Sequence, residues 1–239
     1  MHARVVVTIL ACLLVQMAGT RPARAGGEPT PAGSLATCVR TVSDRLQSHY
    51  DHVQDFEAHF VQQTHSVAFA GGTGGEQLAQ GTVLFAKPGR MRWIYQKPEP
   101  SLVVSDGKKL WIYDETAGEV QVMHVGAGFL SGAALHFLFG GGRVEKSFRV
   151  EGLRCDETQA HLRLLPRAQA SYESLELRVD PARGRVLETT VVDLFGNQTQ
   201  VRFDDVRENR SPDASLFRFV PPEGARVTEI VPPPSASAP

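Results

Sequence analysis

Eight histidines and three cysteines are the residues of this 239-residue chain whose types could bind a metal ion or act as nucleophiles. His49 and His52 lie three residues apart near a predicted helix end, and His59 and His65 lie six apart on a predicted strand. No carboxylate or cysteine completes either pair at the spacing of a metal site. The patterns of serine hydrolases and zinc proteases do not occur either. The sequence therefore predicts a protein that is not an enzyme and that needs no metal and no cofactor.

Apolar residues give a stronger signal between Gln80 and Asp114. Four short runs there are rich in β-branched and aromatic residues, which is typical of half-buried strands. Lys-Pro-Gly, Lys-Pro-Glu-Pro and Asp-Gly separate the runs, and these combinations favour turns. We therefore predict four sequential antiparallel strands, whose apolar runs are Thr82–Ala86, Met91–Tyr95, Leu102–Ser105 and Leu110–Tyr113.

Alternation within the first two runs produces a large apolar face. It puts Val83, Phe85 and Lys87 on one side of the first strand, and the large side chains of the second run on one side of its strand. A sheet face this aromatic must be covered by the protein itself or by a ligand. A buried cation also needs partners, so Lys87 either bonds the carbonyls at a helix end or reaches solvent.

The N-terminal 25 residues resemble a secretory signal peptide, with an apolar run at Val5–Ala18 and an Ala-x-Ala cleavage site that ends at Ala25. Gly26–Gly33 is predicted to be a linker. Ser34–Val53 shows the helical spacing of apolar residues, with Ser34 as the N-cap. No later stretch is long enough to form a transmembrane helix. We expect an exported protein that is cleaved after Ala25.

Strands are also predicted along the rest of the chain, and a second helix is predicted at Phe129–Phe139. The tally is about eleven short strands in one domain over residues 34–231, followed by a disordered tail at 232–239. This pattern is typical of an antiparallel sheet that curls toward a barrel wide enough to hold a ligand. The first predicted strand begins at Phe56. The strands predicted after the central four are Val120–Val125, Phe148–Leu153, His161–Leu165, Ser174–Val179, Arg185–Leu194 and Thr199–Val206, with a final short one from Leu216–Val220 or Val227–Ile230.

Charge and cysteine content narrow the classes of partner. The formal net charge of −1 excludes a general basic surface, so we expect no nucleic acid partner. Cys38 and Cys155 remain after the predicted cleavage. An oxidising location permits a disulfide between them, and two separate buried thiols are the alternative.

Several motifs together resemble the LolA family of periplasmic outer-membrane lipoprotein carriers. They are F-A-K-P-G-R-M-R-W followed by P-x-P-S-L-V-V-S-D-G-K-K-L-W-I-Y-D within Gly81–Asp114, F-x-A-x-F-x-Q at Phe56–Gln62, and F-x-F-x-P-P-x-G at Phe217–Gly224. The resemblance covers residues 35–230. It implies an incomplete, unclosed antiparallel β-barrel with a helical lid over an apolar concave face.

The resemblance also implies a function. A monomeric carrier would take triacylated lipoproteins from an inner-membrane ABC transporter, hold their acyl chains in the periplasm, and pass them to an outer-membrane acceptor. Lys87 occupies the position of the arginine that latches the lid in the family. The residues expected to line the lipid-binding cavity, for which an ordinary core is the alternative, are Val83, Phe85, Met91, Trp93, Tyr95 and Trp111 from the strands and Phe129, Leu130, Leu135, Phe137 and Leu138 from the second helix.

Three alternatives to the carrier stay open. The same fold could bind another lipid or a glycolipid, or it could sense lipoproteins in an envelope stress response. It could also be an outer-membrane receptor, which requires a lipidated N-terminal cysteine, and Cys12 lies within the apolar run of the leader.

Overall fold

The computed structural model describes residues 32–67, 76–124 and 142–230. Helix α1 spans Ala32–His52, and a one-turn helix, α2, spans Val144–Ser147. A 3-10 turn spans Ala214–Phe217. The strands are β1 Asp55–His65, β2 Glu76–Ala86, β3 Arg90–Lys97, β4 Ser101–Asp106, β5 Lys109–Asp114, β6 Glu119–His124, β7 Phe148–Cys155, β8 Ala160–Pro166, β9 Tyr172–Val179, β10 Val186–Asp193, β11 Gln198–Glu208 and β12 Arg226–Ile230.

All described strands belong to one sheet, in the order β12-β6-β5-β4-β3-β2-β1-β11-β10-β9-β8-β7. Neighbouring strands are antiparallel, except that β12 runs parallel to β6. Among these strands, β12 and β7 form the two edges and do not pair with each other, so the sheet is unclosed. The predicted fold class is thus confirmed, and the described residues form 12 strands where about eleven were predicted.

Helix α1 covers one side of this sheet, which we call the inner face. Val42, Leu46 and Tyr50 recur at the spacing of one helical stripe, and each is at most 5 % exposed. The helix begins at Ala32, so the predicted linker is too long by two residues and Ser34 lies in the first turn instead of capping it. Those two corrections leave the predicted packing stripe unchanged.

Two glycines let α1 approach the sheet closely. A side chain at Gly152 of β7 would meet Val39 Cγ2 at 2.4 Å. A side chain at Gly184, which lies before β10 with φ +71°, would meet the carbonyl oxygen of Arg45 at 2.3 Å. Only glycine fits at such approaches, and only glycine adopts that φ at little cost. Helix α1 therefore packs directly against the backbone of the sheet at Gly152 and of the turn at Gly184.

The main core lies between α1 and the inner face of β1, β2 and β7–β11. Leu162, Leu164, Leu175 and Leu177 from the central strands of this half are fully buried. The outer face of the same strands carries ion pairs, for example Arg163–Glu176 at 2.8 Å and Arg178–Glu188 at 3.2 Å. This half of the sheet is thus apolar inside and charged outside, as expected for an antiparallel sheet with one covered face.

A second core lies on the outer face of β3–β6. Leu102, Val104 and Val120 point to that side and are at most 8 % exposed. The 3-10 turn covers them with Phe217, which is 1 % exposed, and the Arg90 guanidinium lies 5.1 Å from the centre of its ring. The C-terminal segment therefore buries the side of this half that α1 does not cover.

The remaining predicted elements have mixed outcomes. Val227–Ile230 forms part of β12, but Leu216–Val220 is not a strand, because its first residues belong to the 3-10 turn. The second helix at Phe129–Phe139, the signal peptide and the tail at 232–239 lie outside the described residues. No helix in the described ranges is long and apolar enough to cross a membrane.

Candidate functional site

An aromatic cluster lies where strands β1, β2 and β3 meet on the inner face. The ring of Phe60 lies edge-on to Trp93 at 4.7 Å and to Tyr95 at 5.1 Å, measured between ring centroids. Trp93 and Tyr95 stack at 6.2 Å, and Phe85 lies 5.7 Å from Trp93. These are the separations at which aromatic pairs attract beyond simple burial. The cluster forms one continuous apolar surface across three strands.

Exposure divides the predicted cavity residues into two groups. Val83 and Phe85 are 1 % and 2 % exposed, so they form the floor of the main core. Met91, Trp93 and Tyr95 are half-buried and pack against that core from its margin. Burial also raises the pKa of the Tyr95 hydroxyl, which donates to Gln62 Oε1 at 3.1 Å. The β3 residues therefore keep part of their apolar surface accessible to a ligand.

The register of β3, β4 and β5 shows that the prediction for Trp111 is wrong. Trp93 lies opposite Val103, and Val103 lies opposite Ile112, so the inner face continues through those two residues. Trp111 lies opposite Val104 and therefore on the outer face, where its ring is 6.4 Å from Phe219. Both faces of β5 are apolar, which is why composition alone could not assign its side. The other predicted cavity residues, Phe129, Leu130, Leu135, Phe137 and Leu138, lie outside the described residues.

Lys87 follows β2 and binds the end of α1. Its Nζ donates a hydrogen bond to the carbonyl oxygen of Tyr50, in the last turn of the helix. Burial lowers the pKa of Lys87, and the Asp51 carboxylate opposes that shift. A cation at a helix C-terminus is favourable, because the carbonyl ends of the helix carry partial negative charge. Of the two placements that the sequence left open, the structure has the helix-end carbonyl.

Other contacts hold the same end of α1. His49 Nε2 and Glu208 Oε1 are 2.9 Å apart, and both side chains are mostly buried. The Val186 N–H donates to the Tyr50 hydroxyl at 3.2 Å, and burial raises the pKa of that hydroxyl. The end of the helix is therefore joined to β2, β10 and β11 by polar contacts that do not depend on the apolar stripe.

A disulfide holds the other half of α1. Cys38 and Cys155 are bonded, with their Cα atoms 5.9 Å apart, and they lie 117 residues apart in sequence. Of the two alternatives that the sequence left open, the structure has the bridge. It joins α1 to the end of the edge strand β7, on the same side as the close approach at Gly152.

Phe60 belongs to this aromatic cluster but is not among the predicted cavity residues. It touches Trp93 and Tyr95 and is 1 % exposed. The alternation of Phe56, Ala58 and Phe60 was visible in the sequence, but only the pairing of Phe60 with Gly81 brings its ring beside β3. A side chain at Gly81 would come within 3.0 Å of the Phe60 ring, so the glycine makes room for it.

The site has the chemistry of an apolar binding surface. Within the described ranges, no group of three or more His, Cys, Asp or Glu residues could hold a metal ion. The side chains of β3 offer aromatic and thioether surface, and methionine adapts readily to ligands of varied shape. Such a surface can bind an apolar chain.

Comparisons with known proteins identify the family of this chain. A family model described as "Outer membrane lipoprotein carrier protein LolA" matches residues 51–220. An outer-membrane lipoprotein carrier protein from Dechloromonas aromatica is 35 % identical over 152 residues, which cover 63 % of this chain and 72 % of that protein. A carrier of the same name from Alkalilimnicola ehrlichii is 33 % identical over 200 residues, which cover 82 % of this chain and 86 % of that protein.

The fold also has solved neighbours. The crystal structure of a LolA superfamily protein from Nitrosomonas europaea superposes with a TM-score of 0.42 at 11 % identity, and covers 76 % of this chain and 98 % of that one. A superposition this distant carries no functional inference. The family match extends from the last turn of α1 to the segment after the 3-10 turn, and so includes β3 and Lys87. The chain belongs to the LolA family of outer membrane lipoprotein carrier proteins.

Proposed function

We propose that this protein is a periplasmic carrier, exported and cleaved after Ala25, that binds the acyl chains of lipoproteins released from the inner membrane. In this proposal it works as a monomer, receives its cargo from an ABC transporter and delivers it to an acceptor at the outer membrane. It is a binding protein and catalyses no reaction. Membership of the family and the names of its relatives support the proposal.

The half-buried aromatic surface of β3 is the observation that carries the proposal. Met91, Trp93 and Tyr95 lie on the inner face, beside a core whose floor is already closed by Phe60 and Phe85. The β3 residues instead keep part of their apolar area accessible, which suits a surface that takes a ligand and gives it up.

The energetics of acyl transport require such a surface. Each methylene group removed from water stabilises the bound state by about 0.8 kcal/mol, so one exposed acyl chain costs on the order of 10 kcal/mol. The carrier must also release its cargo without nucleotide hydrolysis. A closed state that competes with the ligand lowers the apparent affinity, and Lys87 stabilises such a state when it holds the end of α1.

A binding measurement tests this function. The probe is a fluorescent, triacylated cysteinyl peptide, with the same peptide lacking acyl chains as the control ligand. Replacing Trp93 with alanine removes the accessible part of its indole ring and the apolar contact that it would make with an acyl chain. We therefore expect about tenfold weaker binding. The matched variant is Trp111→Ala, which removes the same side chain from the outer face and is expected to leave the affinity unchanged.

Other results would contradict the proposal in distinct ways. Equal binding of both peptides would rule out acyl recognition, and equal losses in both tryptophan variants would place the ligand elsewhere. Native mass spectrometry of the protein from its own periplasm would identify a glycolipid or another lipid as cargo. A lipidated N-terminus in the mature protein would favour an outer-membrane receptor.

A further inference from the structure

Strand β7 borders a groove that the acyl-binding surface does not use. This edge groove has a volume of about 680 Å³ and lies between the outward flank of α1 and both faces of β7. Among the described strands β7 pairs only with β8, so its other side is an edge of the sheet. The residues that we use to define the groove are Leu35, Val39, Arg40 and Ser43 of α1, Phe148–Gly152 of β7, and Arg167.

The backbone of β7 presents hydrogen-bonding groups to this groove. The Arg167 N–H donates to the carbonyl of Ser147 at 2.9 Å, one step before the first ladder pair, Phe148 and Pro166. The Ser147 N–H donates to Arg143 instead, but the single bond still sets the hydrogen-bonding phase of the antiparallel ladder. Because hydrogen-bonded pairs alternate along such a ladder, Arg149 and Glu151 direct their backbone groups toward β8, whereas Val150 and Gly152 direct theirs toward the edge groove. The Arg167 Nε bond to the Phe148 carbonyl, at 3.0 Å, agrees with this alternation.

A buried hydroxyl also faces the groove without a partner. Ser43 is 4 % exposed, and among the described residues no atom hydrogen-bonds its Oγ. Burying an unpaired hydroxyl costs free energy, so such groups in folded proteins normally have a partner. A ligand in the groove could supply one.

The charges of the groove are unbalanced in favour of cations. Arg149 and Glu151 pair with each other at 3.1 Å. Within the described ranges, Arg40 and Arg167 have no carboxylate partner, and Glu145 is the other charged residue that lines the groove. An acidic ligand is therefore favoured over a basic one. The same charges oppose pairing of β7 with the β7 of a second copy, because that would bring four arginines together.

We propose that the edge groove binds an extended acidic peptide segment of a partner protein, which adds to the sheet as a strand beside β7. Main-chain hydrogen bonds to Val150 and Gly152 would supply affinity, as in other peptides that extend a sheet. Apolar side chains on one side of the segment would contact Leu35 and Val39, and acidic ones would face Arg40 and Arg167. A lipid could use the apolar lining but would leave the strand edge unpaired.

The test uses a fluorescein-labelled octapeptide of alternating aspartate and valine, with binding to the purified protein followed by anisotropy. Two control peptides accompany it: one with lysine in place of aspartate, and one with alternate backbone nitrogens methylated. We expect saturable binding of the first peptide and at least about tenfold weaker binding of either control, since one lacks the charge match and the other lacks the donors.

Variants of the protein localise the binding. Val150→Pro removes an N–H that faces the groove but leaves the hydrogen bonds between β7 and β8 intact. The fold should therefore be kept while peptide binding falls about tenfold. Val150→Ala keeps the N–H and serves as its matched control. Arg40→Glu, at an exposed position, should reverse the preference between the aspartate and lysine peptides. Ser43→Ala should raise the stability of the free protein and weaken peptide binding severalfold.

Several results would overturn the proposal while leaving the proposed acyl-binding surface of β3 untouched. Equal affinity for the methylated peptide, or unchanged affinity in Val150→Pro, would exclude strand addition. Displacement of the peptide by a fatty acid would identify the groove as a lipid site. A dimer in sedimentation that is lost in Val150→Pro would assign the edge to a second copy of the chain.

Discussion

Lys87 places an ammonium group in surroundings that disfavour its charge. Burial lowers the pKa of this lysine, and the compensating groups are the Tyr50 carbonyl and the Asp51 carboxylate at the end of α1. The hydrogen bond of a buried ammonium group contributes less net free energy when part of it only offsets the cost of removing the charge from water. The residue therefore suits a latch that must open, because the desolvation of its ammonium group offsets part of the free energy of its bond to the Tyr50 carbonyl.

Replacing Lys87 with methionine should free the end of α1 and favour the open state. We expect up to about tenfold tighter binding of a triacylated peptide and correspondingly slower release, because the closed state no longer competes as well. Hydrogen exchange gives a local readout, since the Val53 amide donates to the His49 carbonyl at 3.1 Å and should lose protection. Lys87→Arg preserves the cation and is the control. Unchanged release and exchange in Lys87→Met would show that the contact is not a latch.

Tyr50 gives a prediction for alkaline pH. Burial raises the pKa of its hydroxyl above the ordinary value of 10.0, although the Val186 N–H opposes the shift. Above about pH 10 the unfolded chain therefore loses a proton that the folded protein keeps, and the free energy of unfolding falls by up to about 1.4 kcal/mol per pH unit for this one group. The contribution is fully present below that pH.

Urea unfolding between pH 8 and 11 measures this effect. Tyr50→Phe should be less stable than the wild type at pH 8 by about 1 kcal/mol, because the Val186 N–H loses its acceptor. Its stability should then decline less steeply above pH 10, while Tyr95 and Tyr172, whose pKa values are also raised by burial, act equally in both proteins. Parallel curves for the two proteins would refute the role given to burial of Tyr50.

At the scale of the elements, the sequence predicted where strands lie better than it predicted which face of the sheet each side chain occupies. Period-two alternation was sufficient for β1–β6 and for most later strands, since burial on one face imposes it. It failed at Leu216–Val220, where Asp213 accepts the Ser215 N–H at 2.7 Å and begins a 3-10 turn. Apolar composition failed for Trp111, because both faces of β5 are apolar and the register of three strands decides the side. Pairing between distant segments is what a local pattern does not contain.

Gly184 tests the seating of α1 on the sheet. Alanine there would need the left-handed φ of +71° and would place its Cβ 2.3 Å from the Arg45 carbonyl oxygen. We expect a loss of at least about 3 kcal/mol in the free energy of unfolding, from backbone strain and overlap together. Gly118→Ala is the matched control, because Gly118 has φ +64° and no atom within 4 Å of the added carbon, so only about 1 kcal/mol should be lost. Equal losses at the two glycines would mean that α1 moves aside without cost.

At the scale of the whole molecule, the sheet is stabilised on opposite faces in its two halves. The half from β7 to β1 is buried on the inner face by α1, and the half from β3 to β6 is buried on the outer face by Phe217 and its neighbours. Strands that bury apolar side chains on their outer face can stay folded without a packed core on their inner face. Because the C-terminal segment packs on the outer side of this half, it leaves the inner side of β3 to the ligand that we propose.

This division predicts that stability and binding can be altered separately in the same half of the sheet. Phe217→Ala should lower the free energy of unfolding by about 3 to 5 kcal/mol, as expected for a fully buried phenylalanine, since Phe217 is 1 % exposed. Trp93→Ala removes a half-buried ring, so it should cost clearly less stability than Phe217→Ala but should weaken binding of a triacylated peptide more. Urea unfolding and fluorescence titration of both variants measure the two effects, with titrations done where each variant is fully folded. If Trp93→Ala proved the more destabilising of the two, the inner face of β3 would be a structural core, and the outer core could not be what holds these strands in place.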